Sequence, residues 1–506
     1  MDPNVSWGPL ISGGGFVFTS NWLGSGGGTG YGGAGANGGG AIVLNVGGTL
    51  ELDGALNADG AGATNTFAGG GAGGGIFIEA TTIIGAGSVH SDGGAGDFDL
   101  SGAGGGGGGG GRVVFECLTN GYSGVMSAYG GPGSEVGGAG AVLTQVAGQI
   151  GQLVVDNAGQ AGPALSPLLA LTNSSVRVAN GAILAASLTS IAGDFTITTN
   201  AMVIGGTSSP WVLSVGGNLD IQPGGAVSLD GQGYGPAQGP GGGIISYALS
   251  GGAGHGGYGV NVSSFGYSRG LVYDSQFTPT NAGSGGNSFY PVPGGVGGAG
   301  GAGGGALLLS VGGALQVDGS LSANGSSGTN GGGGGSGGSI YVTGCATLAG
   351  GGTISANGGG SVPNAGGSGG GGGGGGRIAV QANASSFSGK MTAYGGGSVY
   401  AGGAGTIYTQ FGSAGQLVID NDGQTGTNTP IVSAPDAGLV VQNGAVGVFG
   451  SPSAFNSLVI NSNGWLTEMP GTTLNLVVSS NAIINAGGGF MGDGLGNRNG
   501  NGSISA

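Results

Sequence analysis

Two histidines, two cysteines, six basic residues and 21 acidic ones are nearly all the titratable chemistry that this 506-residue chain carries outside tyrosine. His90 stands in the string Gly-Ser-Val-His-Ser-Asp-Gly. The second copy of the repeat described below has Ser355 at that place, so no histidine recurs as a general base would; a surface side chain flanking a turn is the expectation. Neither H-E-x-x-H nor C-x-x-C occurs. G-x-G-x-x-G strings abound in a glycine-rich background and carry no information, and Lys390 lacks the preceding loop of a phosphate-binding motif. Cys117 and Cys345 fall at non-equivalent repeat positions, which argues for two small buried thiols rather than a disulfide framework.

Carboxylates lie near one another in the chain at Asp53/Asp59, Asp97/Asp99 and Asp420/Asp422. Asp53 and Asp318 sit in matching turns, so a structural role in the turn explains them. Asp97 and Asp99 lie in GGAGDFDLSG, close to a calcium-binding Gly/Asp nonapeptide, with Phe98 where that pattern needs Asp. Their oxygens suit a hard Ca2+ ion, and a solvated acidic surface is the simpler account; no other cofactor is implied. Arg112 and Arg377 each close a run of eight glycines and open an apolar stretch. Five donors in a planar fork suit a structural role, capping carbonyls where the run meets a strand. Segment 244–280 is the least repetitive and gathers Tyr247, Tyr258, Tyr267, Arg269 and Tyr273 with His255 and two phenylalanines. Aromatic faces beside an arginine form a candidate ligand-binding platform, for sugars or for other repeats; inward aromatic packing is the competing account.

The scaffold under these residues is written in glycine, 141 of 506. Collagen is excluded by only 17 prolines and no chain-long triplet register. Disorder is disfavoured because charged residues make up only 5% and β-branched runs such as AIVLNV, IFIEA and ALLLSV recur. A net charge of -15 with six Lys and Arg argues against nucleic acid as a partner. No apolar run is long enough for a membrane-spanning helix.

Internal repetition organises everything else. Residues 39–62, GGAIVLNVGGTLELDGALNADGAG, return at 304–327 as GGALLLSVGGALQVDGSLSANGSS. Gly-Gln-Leu-Val-Val-Asp-Asn at 151–157 returns at 415–421 with Ile for one Val, and the shift is 264–265 residues throughout. Residues 476–494 echo 213–231 as the start of a third copy. The expected organisation is a first glycine-rich repeat over 1–150, strand-rich segments over 151–242 and 415–475, a second glycine-rich repeat over 243–414, and the start of a third over 476–506. The chain so divided reads as an excerpt from a longer array. Alternating apolar positions punctuated by Asp-Gly or Asn-Gly indicate short strands and turns, with Asx and Gly supplying left-handed conformations. Inside the glycine runs, Val296, Ala299 and Ala302 recur every third residue, the period of a polyproline II helix. The expected fold class is therefore an all-β repeat: a parallel β-helix-like stack of short strands, with polyglycine II helices bonded side by side and essentially no α-helix.

The order GGGAI-x-L-x-VGG, then eight glycines and Arg, then GQL-x-(V/I)DN, resembles the glycine-rich repeat regions of very large secreted or cell-surface bacterial proteins. The resemblance covers nearly the whole chain and implies export to the cell exterior and a role in adhesion or matrix. The glycine bundles look like those of glycine-rich antifreeze proteins, phage tip adhesins and one receptor-kinase ectodomain family, which share an architecture rather than a function. The function expected is a non-catalytic structural or adhesive repeat of an extracellular fibre. Its partners would be copies or neighbouring repeats of itself, joined head to tail, and surface glycans. A carbohydrate-binding or polysaccharide-lyase-like β-helix is the first alternative, and ice binding the second.

Overall fold

A computed structural model describes residues 23–30, 34–64, 67–97, 104–161, 166–168, 173–186, 189–205, 210–243, 245–246, 249–260, 270–288, 297–364, 369–397, 400–450 and 452–493. The described residues form β-strands, turns and extended segments and include no helix. Contacts divide the chain into two compact units, Met1–Ile204 with Ser214–Ala226, and Gly205–Leu213 with Val227–Ala506.

In the first unit the strands Ala41–Glu51, Gly75–Gly85, Arg112–Tyr122 and Ala141–Val146 pair in parallel, each with the next in sequence. The short strands Ala55–Asn57, Ser88–His90 and Val125–Ser127 form a second parallel ladder. Parallel pairing of successive strands requires a long return path, which the glycine-rich segments supply. Alternation puts Ile76, Ile78, Ile83, Val113, Phe115 and Cys117 into the core at 0–1% exposure. Both cysteines are free and buried, and burial raises their thiol pKa values. The second unit repeats the plan with Ala306–Val311 and Ala314–Val317, Ser339–Ala349, Arg377–Ser385 and Thr406–Phe411.

Each unit then contains an antiparallel hairpin that the repeat pattern does not announce. Ala141–Val146 turns back on Gly151–Asp156, and Thr406–Phe411 on Ala414–Asp420. Gly148 at φ 72° and Gly412 at φ 60° make the reversals. Beyond them, parallel pairing resumes with shorter loops. Gly151–Asp156 pairs with Ser174–Ala179, and Ala414–Asp420 with Ala434–Gln442 and then Ser453–Ile460.

The glycine runs are bonded sideways on every third residue. The N–H groups of Gly105, Gly108 and Gly111 donate to Asp97, Gly94 and Ser91, while those of Gly107 and Gly110 donate to Glu135 and Gly138. The carbonyls of Gly106 and Gly109 accept from Gly70 and Gly73 on a third neighbour. Residues three apart thus serve one neighbour, and the backbone groups of a segment without its own ladder are satisfied laterally. None of Gly105–Gly111 takes a positive φ. What these glycines contribute is the missing Cβ: one added at Gly108 would lie 1.9 Å from the carbonyl oxygen of Gly71.

Asx side chains staple one layer to the next. Asp53 Oδ1 accepts from Ala86 N at 3.0 Å, and its counterpart Asp318 Oδ1 from Gly351 N at 2.8 Å. Asp59 accepts from Asp92 N, and Asp92 from Tyr129 N; in the second unit Asn324 accepts from Asn357 N, and Asn357 from Tyr394 N. The left-handed Asx-Gly turns expected at Asp53 and Asp59 are absent, and these side chains instead bridge to the following layer. Positive φ falls on Asn180, Asn443 and Asn463, in the short-loop part of each unit.

The Asn that ends GQL-x-x-DN has a role its spacing did not disclose. Asn157 accepts from Gly130 N and donates to Gly137 O and Gln160 O; Asn421 does the same with Gly395 N, Gly402 O and Gln424 O. Both are buried, at 2% and 0% exposure. Asn421→Ala leaves a buried N–H and two carbonyls unpaired. Denaturant unfolding should show a loss of about 2–3 kcal/mol, and an unchanged midpoint would remove this role.

Candidate functional site

Among the described residues, buried polar groups gather in the second unit, where His255 and residues 270–288 lie over the first residues of three parallel strands. Those strands begin with Ser339, Arg377 and Thr406, paired Ser339↔Arg377 and Arg377↔Thr406. Arg377 is 2% exposed. Its Nε donates to the carbonyl of Tyr273 at 3.0 Å and its Nη1 to Thr406 Oγ1 at 3.0 Å. Burial lowers its pKa to about 10, against the opposing pull of Asp274.

Asp274, at φ 70°, is the acceptor hub of the segment. Its Oδ2 accepts from Thr280 N, Asn281 N and Ser339 Oγ, and its Oδ1 from Ser275 N. Burial alone would raise its pKa, but the bonds from His255 and from the N–H groups of Asn281 and Ser275 outweigh it and hold the carboxyl well below the usual range. His255 is fully buried, with Nδ1 2.8 Å from Gly337 O and Nε2 3.4 Å from Asp274 Oδ2. A carbonyl only accepts, so Nδ1 carries the proton of the neutral ring, and Nε2 donates to Asp274 only when the imidazole is protonated. Burial is the largest influence on this ring and depresses its pKa. The Tyr273 ring lies 4.5 Å from the imidazole, and its hydroxyl donates to Ala282 O at 2.6 Å. Gln276 ties the same segment to Pro430 O and Val432 N.

The chemistry open to this cluster is limited by its own bonding. Both nitrogens of His255 face acceptors inside the protein, leaving neither to take a proton from a substrate. Ser336 lies beside Gly337 in a Gly-Gly-Ser-Gly-Gly string, and its hydroxyl bonds the main chain of Ser284 rather than the imidazole. The arrangement holds residues 270–288 in place.

A second trio, His90, Ser127 and Asp92, lies in the first unit. His90 Nδ1 is 2.8 Å from Ser127 Oγ, which donates to Asp92 Oδ2 at 2.8 Å. An activated serine gives its proton to histidine; here the carboxylate takes it, so Ser127 is anchored rather than activated. The imidazole is part-exposed beside its turn, as the sequence suggested.

Arg112 and Arg377, alike in sequence, part company in the structure. Arg377 does meet a carbonyl, but that of Tyr273 in the covering segment, not one in its glycine run. Arg112 is exposed, between Gly75 and Ala141, where Arg377 has Ser339 and Thr406. Of the aromatic platform, Tyr247, Tyr267 and Arg269 lie outside the described residues. Tyr258 is tied down through its main chain to Thr427 and Asn428, and Tyr273 faces His255. Asp97 Oδ2 accepts from Phe67 N, and Asp99 lies outside the described residues. No group of three or more His, Cys, Asp or Glu side chains suited to a metal ion occurs among the described residues.

No family model, no curated protein and no solved structure matches this chain.

An open groove of about 520 Å3 lies beside the hairpin of the first unit. Asn120, Thr144, Gln149 and Gln152 line it together with Leu118 and Ile150. No helix of the described residues is long and apolar enough to cross a membrane.

The cluster makes acid its weakness. His255 and Asp274 both have folded pKa values below their ordinary 6.5 and 3.8. Each therefore contributes stability that is complete above the ordinary value and is lost as pH falls, first through the histidine range and then through the carboxylate range. The unfolding midpoint of the second unit should drop between pH 7 and pH 5, and His255→Gln should flatten that drop. A midpoint that rises on acidification would reverse the assignment.

Proposed function

We propose that the chain is a non-catalytic structural or adhesive repeat of an extracellular or cell-surface fibre. It would be built as a parallel β-helix whose glycine returns form polyglycine II helices. The three-residue bonding period of the glycine runs carries this reading. A flexible linker needs no lateral partners, whereas these runs bond neighbours on several sides and at most of their positions leave no room for a Cβ. Such a chain devotes its composition to a stiff stack with short polar staples. The same stack spaces exposed surfaces at regular intervals, which suits many weak contacts with like chains or with surface glycans. Imaging of the native protein tests this: stiff rods resistant to thermolysin are expected. Flexible, rapidly digested chains, or cleavage of acidic or neutral polysaccharides added to the protein, would sink it.

The first-unit groove favours carbohydrate binding as a second reading. Amide and hydroxyl side chains beside Leu118 and Ile150 match the alternating polar and apolar faces of a sugar. Titration with neutral oligosaccharides, with Gln152→Ala as control, decides that reading independently.

A further inference from the structure

The hairpin of the first unit leaves part of a neighbouring strand uncovered. Gly75–Gly85 pairs with Arg112–Tyr122 along the whole of both strands, from Gly75↔Arg112 to Gly85↔Tyr122. The next strand, Ala141–Val146, covers Arg112–Cys117 and goes no further. It turns at Gly148 and runs back as Gly151–Asp156. On this side of the strand the carbonyl of Cys117 accepts from Ala147 N at 2.9 Å. Main-chain groups alternate sides along a strand, so Thr119 and Gly121 turn their N–H and C=O the same way as Cys117. Among the described residues, Thr119–Tyr122 pair only with Thr82–Gly85. Leu118, Thr119, Asn120 and Gly121 are all exposed. The result is a vacant strand lane roughly 16 Å long, set well inside the sequence.

The lane has walls as well as an edge. The groove beside the hairpin runs between Leu118, Thr119 and Asn120 on the strand and Val146, Ile150 and Gln152 on the hairpin. Leu118 is 53% and Ile150 46% exposed, one aliphatic side chain on each wall. An added strand uses both features, main-chain bonds to the edge for affinity and apolar walls for its alternate side chains. A sugar ring does not match the regular N–H and C=O spacing of a strand edge; a second main chain does. Charge narrows the partner further. Glu79 and Glu116 are register partners shortly before the lane, and burial together with the Glu79 carboxylate raises the pKa of Glu116. Beside that pair, and with a net charge of -15 on the chain, a strand headed by basic residues is favoured.

The second unit is a built-in comparison. Arg377–Ser385 is likewise covered only as far as Ala382, and Asn383, Ala384 and Ser385 are exposed. Asn383 stands where the first unit has Leu118, and Ala414 where it has Ile150. The edge is repeated and the aliphatic walls are not. We propose that the lane Leu118–Tyr122, walled by Ile150, takes an extended peptide of another protein as an added strand, aliphatic at alternate positions and headed by lysine or arginine. This goes beyond the structural reading above and gives the groove a main-chain ligand in place of a sugar.

Fluorescence anisotropy of labelled acetyl-Lys-Lys-Thr-Ile-Thr-Val-Gly-amide titrated with the full chain gives the test. Saturable binding at one site per chain is expected, weakening as salt rises. Leu118→Asn with Ile150→Ala gives the first unit the side chains of the second and should weaken binding by about tenfold or more. Both side chains are largely in solvent, so the circular dichroism spectrum should not change. Thr119→Pro removes one N–H from the lane at an edge position, where proline is tolerated, and should weaken binding with both walls intact. Hydrogen exchange across residues 118–122 should slow when the peptide binds. A peptide with proline in place of its second threonine should fail to bind. The proposal is overturned by the absence of saturable binding at millimolar peptide, by equal binding of the proline peptide, or by binding indifferent to the first-unit variants. A neutral oligosaccharide that slows exchange at 118–122 where the peptide does not would overturn it in favour of a sugar site. Stiff rods seen by imaging are compatible with every one of these results, so the structural reading stands or falls separately.

Discussion

Asp274→Ala should destabilise the second unit by about 3–5 kcal/mol, the cost of leaving a buried charge without its counter-charge. The carboxylate is the acceptor for Thr280 N, Asn281 N and Ser339 Oγ and the neighbour of His255. Its removal leaves Arg377, 2% exposed, with a carbonyl and a hydroxyl but no anion. Replacing both, as Asp274→Ala with Arg377→Met, should cost less than the sum of the two single changes, because the charge and its field leave together. Arg112→Ala should leave the unfolding midpoint of the first unit where it is, since that guanidinium is in solvent. Denaturant unfolding with the slope held constant reads all four variants. Equal losses at the two arginines would mean that residues 270–288 contribute nothing to Arg377, and the reading of the cluster would fall.

That contrast also marks where the sequence stops being legible. The periodicity of the strands, the matched roles of Asp53 and Asp318 and the ordered glycine runs follow from local spacing, and local spacing survives in both copies. Arg112 and Arg377 have the same neighbours along the chain, and nothing there separates them. The difference comes from Ser339 and Thr406, which pair alongside, and from Tyr273 and Asp274, about a hundred residues earlier. Such partners become visible only once the strands are in register. Asn157 and Asn421 were hidden for a related reason: a buried side chain with three main-chain partners has the same sequence signature as a turn. The hairpins at Gly148 and Gly412 are not legible because an Ala-Gly-Gln or Phe-Gly-Ser string reads as a turn of either hand. In the candidate site, His255 is visible in the sequence as a residue but not as a buried one, since the fold brings Gly337, Asp274 and Tyr273 around it from elsewhere in the chain.

Gly94→Ala and Gly108→Ala should each destabilise the first unit by on the order of 4–5 kcal/mol or prevent it from folding, the range reserved for forced overpacking and orphaned polar groups together. A Cβ at Gly94 would lie 1.9 Å from Ala61 O and 2.3 Å from Ala61 C; at Gly108 it would lie 1.9 Å from Gly71 O. The obstructing atoms are main chain, so no rotamer change relieves the clash. The segments must separate by more than an ångström, and that breaks the Gly94 N–Gly71 O and Gly108 N–Gly94 O bonds, 2.8 and 2.9 Å long. Each broken bond strands a buried donor and acceptor at about 1–3 kcal/mol apiece. Gly47→Ala is the opposite case. Nothing lies within 4 Å of a Cβ there and φ is not positive, so the lost freedom of the unfolded chain should stabilise by about 0.4–1 kcal/mol. The same substitution is therefore expected to carry opposite signs at glycines that composition cannot tell apart. A linker has no such contrast, since alanine anywhere in it is nearly neutral. Thermal unfolding of the three variants thus separates a bonded glycine stack from a glycine-rich tether, and loss at positions 94 and 108 with gain at 47 is the pattern only the stack produces.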